Sequence, residues 1–96
     1  MHAIIRSYSD PNLADILVSH RDEVEEVIRA VPGVRSYTLM RTPDGCAAVV
    51  VGDDEGAIRG STEAAAQFLR EKAPSAAAPT VVTGEVIVQL GAGVTA

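Results

Sequence analysis

Residues 34–51 read VRSYTLMRTPDGCAAVVV, and this stretch decides the fold of the chain. Alternation of side-chain character over 34–41 predicts a β-strand. The TPDG sequence at 42–45 places Pro and Gly where a β-turn needs them. A continuous apolar run follows at 46–51, so the two strands are predicted to form a hairpin. Because the second strand is apolar on both sides, both faces of its sheet must be covered.

The sequence before this hairpin predicts a strand over His2–Tyr8 and a helix over residues 12–30, since the apolar spacing changes from near two to near three and four. Asp10 or Asn12 can cap the helix by accepting a hydrogen bond from a free backbone N–H. A polar interruption at 19–21 leaves room there for a bend or an early end.

The sequence after the hairpin predicts a second helix over 55–72 and a last strand over 80–90, with a flexible tail at 91–96. The order strand, helix, strand, strand, helix, strand is that of the ferredoxin-like βαββαβ fold of the α+β class. We therefore predict one domain over residues 1–90, with a four-stranded antiparallel sheet and two helices on one face.

The other face of that sheet would carry the remaining Val, Ile and Tyr side chains. Two helices cover only one face of four strands, so this second apolar face must be buried elsewhere. Face-to-face packing of two sheets is a stable arrangement. The sequence therefore predicts a homodimer formed through the sheet faces.

The composition of the chain excludes several classes of function. It has 96 residues, a net charge of −5 and 3% aromatic residues, which argues against nucleic-acid binding. No apolar run approaches the ~20 residues that span a membrane, and no basic and apolar leader is visible, so we expect a cytoplasmic protein. The single cysteine, Cys46, cannot form an internal disulfide. Neither His2 nor His20 has a second ligand at metal spacing, so no metal site is expected.

Three stretches of the sequence resemble one known family. They are AVPGVRSY at 30–37, GA-x3-S-x3-A at 56–65 and P-x4-GEV at 79–86. Together they resemble the antibiotic biosynthesis monooxygenase (ABM)-like proteins of the dimeric α+β barrel superfamily. The resemblance extends over roughly residues 2 to 90.

The resemblance implies a homodimer with a small-molecule cavity between the sheet and the helices of each protomer, and no cofactor. Some members of the family oxidise aromatic polyketide intermediates with molecular oxygen, using an Asn, a Trp, an Arg and Tyr residues. Others degrade haem, using an Asn, a Trp and a His. This chain has no Trp, its only Asn is Asn12 in the turn that the SDPN sequence at 9–12 predicts, and its second helix has no His. The catalytic residues are therefore unknown.

Five side chains are candidates for binding a small apolar or aromatic ligand. The two tyrosines could direct hydrogen bonds at a substrate, or pack at an interface with the hydroxyl at its rim. The serine could point into the cavity, or bond to a carbonyl of its own helix. The five candidates are Arg6, Tyr8, Tyr37, Arg41 and Ser61.

Arg6 has a predicted structural role as well. It lies on the first strand and Glu85 on the last, which are antiparallel neighbours in this fold, so we predict a cross-strand Arg6–Glu85 pair within the dimer face. The alternative is that Arg6 anchors an anionic ligand.

Two functions remain open from the sequence. The first is a small-molecule-binding or non-catalytic homodimer that keeps the fold without the family's Trp, Asn and His chemistry. The alternative is a cofactor-independent monooxygenase that acts on an aromatic or polyketide-type metabolite. A regulatory domain of the ACT type, which shares the strand order, is a weaker third hypothesis.

Overall fold

The computed structural model describes residues 1–90, which form a four-stranded antiparallel sheet covered on one face by three helices. The chain therefore has the ferredoxin-like α+β fold that the order of elements predicts. The elements in chain order are β1 (His2–Tyr8), α1 (Pro11–Ser19), α2 (Arg21–Arg29), β2 (Val34–Thr42), β3 (Gly45–Gly52), α3 (Glu55–Lys72) and β4 (Thr80–Glu85).

The strands lie in the order β2-β3-β1-β4, so β1 and β3 are central and β2 and β4 are the edges. The predicted hairpin is confirmed: β2 pairs with β3, and Thr42 lies opposite Gly45 across the turn. The Thr42 hydroxyl accepts a hydrogen bond from the backbone N–H of Gly45 at 3.1 Å, which fixes this turn. A bulge between Val34 and Ser36 interrupts the register at the start of β2.

The first predicted helix is divided into α1 and α2, and the break falls at His20, within the polar interruption of the sequence. The backbone N–H of His20 donates to the carbonyls of Ile16 and Leu17, both at 3.2 Å, and so closes α1. Asp10 provides the cap: its carboxylate accepts from the N–H groups of Asn12 at 3.0 Å and Leu13 at 3.3 Å. Three helices thus cover the sheet where two were predicted.

The last strand is shorter than predicted, because β4 ends at Glu85 rather than at residue 90. Within residues 1–90 its only neighbour in the sheet is β1, and Glu85 lies opposite His2, the first residue of β1. After Glu85, the chain as described to residue 90 pairs with no strand, although the N–H of Val86 still donates to the carbonyl of Met1 at 2.9 Å. The predicted tail, residues 91–96, lies outside the described residues.

Alternation along β1 separates the two faces of the sheet. Ile4 and Tyr8 are buried beneath the helices, whereas Ile5 faces outward and is 42% exposed. The largest apolar cluster packs α1, α2 and α3 against this inner face, and its buried members are Tyr8, Leu13, Ala14, Leu17, Val24, Ile28, Cys46, Phe68 and Ala73.

Two glycines let the start of α3 approach the sheet. A Cβ atom on Gly52 would lie 2.7 Å from the Cβ of Ala57, and one on Gly33 would lie 2.9 Å from the same atom. Gly33 also has a φ of 84°, a conformation that favours glycine. The first turn of α3 therefore packs directly against the sheet. Asp54 caps this turn by accepting a hydrogen bond from the N–H of Ala57 at 3.0 Å.

Candidate functional site

A cleft of about 640 Å³ lies between α1 and α2 on one side and β2 on the other. Its floor is apolar, because the inward-facing side chains of the sheet and helices meet there. Leu17, Val24, Ile28 and Leu39 are among these apolar lining residues. Charged side chains line it as well, and four of them are arginines: Arg21, Arg29, Arg35 and Arg41.

A second, much smaller cavity of about 30 Å³ lies deeper between the sheet and the helices; we call it the inner chamber. Arg6, Tyr8 and Phe68 line the chamber and do not line the cleft. One to two water-sized groups fill a space of this size. The chamber adjoins the cleft, because both are lined by Leu17, Val24, Ile28, Tyr37 and Leu39.

Arg6 is the central polar group of the chamber. Its position on β1 points the side chain toward the helices, and only 2% of the residue is exposed. The Nη1 atom donates to the hydroxyl of Thr62 at 3.2 Å and to that of Ser61 at 3.4 Å. Within residues 1–90, the Nε and Nη2 atoms of Arg6 have no hydrogen-bond partner.

The predicted Arg6–Glu85 pair is wrong. In the pairing of β1 with β4, Arg6 lies opposite Val81, and Glu85 lies opposite His2. The two charged residues are therefore separated along the strands, and Glu85 is exposed at the end of β4. Arg6 also lies on the helix-covered face, so it is not part of an outward-facing sheet surface.

Tyr8 and Tyr37 come together at the chamber from two strands, β1 and β2. Burial raises the pKa of Tyr37 to about 12, and the nearby Arg6 guanidinium only partly offsets this effect. Burial also raises the pKa of the Tyr8 phenol, against a smaller lowering by Arg6. Both hydroxyls therefore stay protonated at neutral pH and can donate hydrogen bonds into the chamber.

Ser61 is fully buried on α3, and its hydroxyl donates to the carbonyl of Ile58 at 2.8 Å. The same oxygen accepts from Arg6, so Ser61 positions the guanidinium and also satisfies its own helix. Thr62 does the same through a bond to Ile58 at 3.0 Å. The sequence reasoning missed Thr62, although its helical spacing from Ile58 and Ala65 places it on the same stripe of α3.

Arg41 lies apart from the Arg6 cluster. It is exposed near the end of β2, lines the cleft, and its Nη1 donates to the Asp15 carboxylate at 2.9 Å. Cys46 lies opposite Arg41 on β3 and is buried. Burial raises the pKa of this thiol, which keeps it protonated and unreactive.

The arginines along the cleft are a second feature that the sequence reasoning missed. Arg21, Glu25 and Arg29 follow one another at helical spacing, which identifies a charged face of α2 without showing what it faces. Arg35 is the extra residue of the bulge in β2 and forms an ion pair with Asp53. Only the packing of α2 beside β2 shows that these side chains border one cleft.

Two further findings concern the described part of the chain. In residues 1–90 no group of three or more His, Cys, Asp and Glu side chains is placed to hold a metal ion. None of the helices in the same range combines the length and apolar character needed to cross a membrane.

No protein-family model and no curated protein sequence matches the chain. Solved structures do match it over almost its whole length. A mutant of MhuD, with two manganese protoporphyrin IX molecules bound per active site, is 17% identical with a TM-score of 0.67, covering 95% of this chain and 99% of that chain. A Chloroflexus aurantiacus protein described as belonging to the antibiotic biosynthesis monooxygenases is 18% identical with a TM-score of 0.68, covering 94% and 96%.

A third similar structure is the ActVA-Orf6 monooxygenase of Streptomyces coelicolor in complex with nanaomycin D. It is 23% identical, with a TM-score of 0.61, and the match covers 93% of this chain and 88% of that chain. At these identities the likeness concerns the fold. The chain therefore has an ABM-like fold, as the resemblance in its sequence implied.

Proposed function

We propose that this chain is a small-molecule-binding protein that acts as a homodimer and holds its ligand between the helices and the sheet. The observation that carries the proposal is the cleft of about 640 Å³ with the inner chamber beside it. Ligand sites typically have volumes of about 300–1,000 Å³, an apolar lining and a few convergent polar groups. Arg6, Tyr8 and Tyr37 supply the convergent polar groups here.

The lining of the cleft favours an aromatic or otherwise apolar organic molecule. Leu17, Val24, Ile28 and Leu39 provide apolar contact from three elements of the fold. Two proteins of similar fold contain organic ligands of this general kind, namely nanaomycin D and manganese protoporphyrin IX. This comparison supports the proposal that a protein of this fold can bind a small organic molecule. The chemical nature of the ligand of the present chain is proposed from the residues that line its cleft.

The homodimer is proposed from the outer face of the sheet. By the register of the four strands, the positions that face away from the helices carry no charged residue. Ile5 on β1 is 42% exposed and Val82 on β4 is 61% exposed. A second copy would bury this uncharged surface, whose outward positions are Ala3, Ile5, Ser7, Ser36, Thr38, Met40, Ala47, Val49, Val51, Thr80, Val82 and Gly84.

Ligand binding is tested with a neutral aromatic probe, naphthalene-2-carboxamide, titrated into the wild-type protein by calorimetry. We expect saturable binding. Replacement of Leu39 by Trp should weaken it about tenfold or more, because Leu39 lines both the cleft and the chamber and a larger side chain fills the space between them.

The matched control for this experiment is Val88→Trp, which adds the same side chain at an exposed position that lines neither cavity. We expect the control to bind the probe as the wild type does. The proposal is wrong if the wild type binds neither this carboxamide nor the corresponding carboxylate, naphthalene-2-carboxylate, or if both Trp variants bind the carboxamide equally well.

A second candidate function is a cofactor-independent monooxygenase, and the Arg6 cluster favours it. Oxidation of an aromatic substrate by molecular oxygen begins from an electron-rich, deprotonated form, and the Arg6 guanidinium could hold such an anion at the chamber. The test is oxygen uptake with hydroquinone-type substrates above the spontaneous rate. Uptake should disappear in Arg6→Met. Absence of uptake in the wild type across a wide panel would remove this candidate and leave the binding function in place.

A further inference from the structure

We propose that the site selects an organic anion: Arg6 holds a carboxylate-type head group in the inner chamber, while the apolar body of the ligand lies in the cleft. This inference rests on the proposed binding function and adds the chemical class of the ligand. Four features of the structure carry it.

The first feature is a buried charge without a counter-ion. Arg6 is 2% exposed, and no carboxylate oxygen of residues 1–90 lies within 4.0 Å of its guanidinium. A buried charge that lacks its partner destabilises the folded protein. The neutral hydroxyls of Ser61 and Thr62 bond only to Nη1. Folding of residues 1–90 therefore places at the chamber a cation that has no counter-ion within that range.

The second feature is the edge of the guanidinium that remains free. The atoms without a partner in the described chain are Nε and Nη2, and together they form one edge of the planar group. Two parallel N–H groups on one such edge match the two oxygens of a carboxylate. The hydroxyls of α3 orient the guanidinium from the opposite side through Nη1, so they leave this buried bidentate edge without a partner in the described chain.

The third feature is the size of the chamber, which fits a head group and excludes a larger molecule. Its volume is about 30 Å³, and the body of any larger ligand has to continue into the cleft of about 640 Å³. Tyr37 and Leu39 lie between the two spaces and would contact the ligand where it passes from one to the other. Tyr8 and Tyr37 add neutral O–H donors beside the head group.

The fourth feature is the distribution of positive charge. The chain has eight Lys and Arg residues and a net charge of −5. Four of these eight cations line the cleft, and Arg6 lines the chamber, whereas Glu25 is the only acidic residue among those that line either space in the described chain. A concentration of cations at one cleft of an acidic protein draws anions to that cleft.

The test compares naphthalene-2-carboxylate with naphthalene-2-carboxamide, which has nearly the same shape without the charge. In calorimetric titrations of the wild type, we expect the carboxylate to bind at least about tenfold more tightly, as a charged hydrogen-bonded pair requires. In Arg6→Met this preference should disappear while the carboxamide still binds. The control Arg70→Met removes an exposed cation that lines neither cavity and should keep the preference.

The outcomes separate this inference from the proposed function. If neither probe binds the wild type, both are wrong. If the two probes bind equally, the binding function stands and the anion selectivity is wrong. If Arg6→Met keeps the preference and a variant at Arg35 or Arg41 loses it, the head group lies in the cleft and the assignment to Arg6 is wrong.

Thermal unfolding gives a second readout that a merely structural arginine would not give. If Arg6 serves a ligand, Arg6→Met should unfold at the same temperature as the wild type or a higher one, because it removes an uncompensated buried charge and keeps a similar volume. A clear fall in the unfolding temperature would show that Arg6 is needed for the fold itself, and would overturn the inference.

A crystal structure of the wild type soaked with 6-bromo-2-naphthoate decides the placement without any variant. The bromine locates the aromatic body by its anomalous signal. We expect the carboxylate at hydrogen-bond distance from Nε and Nη2 of Arg6. A structure with ordered water on those atoms and the carboxylate against the arginines of the cleft would contradict the inference.

Discussion

At Tyr37, burial and a neighbouring cation act on one phenol in opposite directions, and burial is the larger effect. The pKa of Tyr37 is raised from 10.0 to about 12. Because the folded value lies above the unfolded one, the stabilisation that this phenol contributes is fully present below pH 10 and is lost as the pH rises toward 12. We therefore expect the free energy of unfolding to fall less between pH 10 and 12 in Tyr37→Phe than in the wild type. Chemical denaturation at each pH measures this difference.

The composition makes this prediction easy to check. The chain has two tyrosines and no tryptophan, so the ultraviolet absorbance of tyrosinate in Tyr8→Phe reports Tyr37 alone. That signal should appear well above pH 10 in the folded protein and near pH 10 after unfolding. Titration of Tyr37 near its ordinary pKa in the folded protein would show that its ring is more exposed than the half-buried position described here.

The contact of Gly52 with Ala57 leads to a second prediction at the scale of one residue. A Cβ atom on Gly52 would lie 2.7 Å from the Cβ of Ala57, so α3 or β3 would have to move. We expect Gly52→Ala to lower the free energy of unfolding by about 1–3 kcal/mol, as overpacking does. In a double-mutant cycle, adding Ala57→Gly should recover part of that loss of stability. The recovery should remain after the cost of placing a glycine within a helix is subtracted.

The matched control is Gly84→Ala on β4, since no atom of residues 1–90 lies within 4 Å of a Cβ atom placed there. Because Gly84 lies on the face proposed for the dimer, both Gly→Ala variants are compared in a Val82→Lys background, in which that interface is disrupted. Its effect should stay within about 0.5 kcal/mol of zero. Equal losses in the two Gly→Ala variants would mean that backbone freedom, and not the contact with Ala57, determines the effect.

Arg6 shows how far a single residue can be predicted from the sequence. Strand alternation correctly groups Arg6 with Ile4 and Tyr8 on one face of β1. It does not say which face the helices cover, and it does not fix the register against β4. No tight turn joins β1 to β4, so local sequence cannot set their pairing, and the Arg6–Glu85 prediction failed for this reason.

At the scale of elements, α1 depends on its cap because it is only nine residues long. Asp10 accepts hydrogen bonds from two backbone N–H groups at its start. We expect Asp10→Ala to lower the free energy of unfolding by about 1 kcal/mol, measured by urea denaturation. Asp10→Asn should retain most of the stability, because the Asn side chain also caps helices. An Asn variant as unstable as the Ala variant would indicate that the charge of Asp10, and not its cap, is what matters.

Helix and strand ends differ in how readily the sequence predicts them. The cap of α1 and the turn between β2 and β3 depend on neighbouring residues, and both were predicted. The end of β4 depends on where β1 begins, almost a whole chain away, and the apolar residues beyond Glu85 gave no sign of it. The polar residues at 19–21 indicated where the first predicted helix could bend or end. Which of the two happens at His20 depends on how α2 packs.

At the scale of the whole molecule, the proposed homodimer can be tested through Val82. This side chain is 61% exposed on the outer face of the sheet. A lysine there would place a charge from each protomer in the apolar interface, so Val82→Lys should shift the protein toward monomer in sedimentation velocity at micromolar concentration. The control Val18→Lys changes a residue of α1 that is 54% exposed and should leave the dimer intact. A monomeric wild type would contradict the proposal.

The architecture as a whole was predictable, whereas the cleft was not. The order of strands and helices follows from periodicity and turn residues that lie close together in the sequence. The cleft depends on the distance that α2 keeps from β2 and on side chains such as Arg29 and Arg35 that meet there from separate elements. Tertiary packing sets that distance, and no local pattern encodes it.

The central position of β1 has a consequence for how the chain folds during its synthesis on the ribosome. β1 is synthesised first, but its two neighbours in the sheet are β3 and β4, and β4 starts only at Thr80. The β2–β3 hairpin can form early because its contacts are local. Until β4 emerges, the nascent chain carries β1 with an unpaired edge, which is the kind of edge that recruits other chains. Translation of the final strand is therefore the step that ends the period of greatest risk of aggregation.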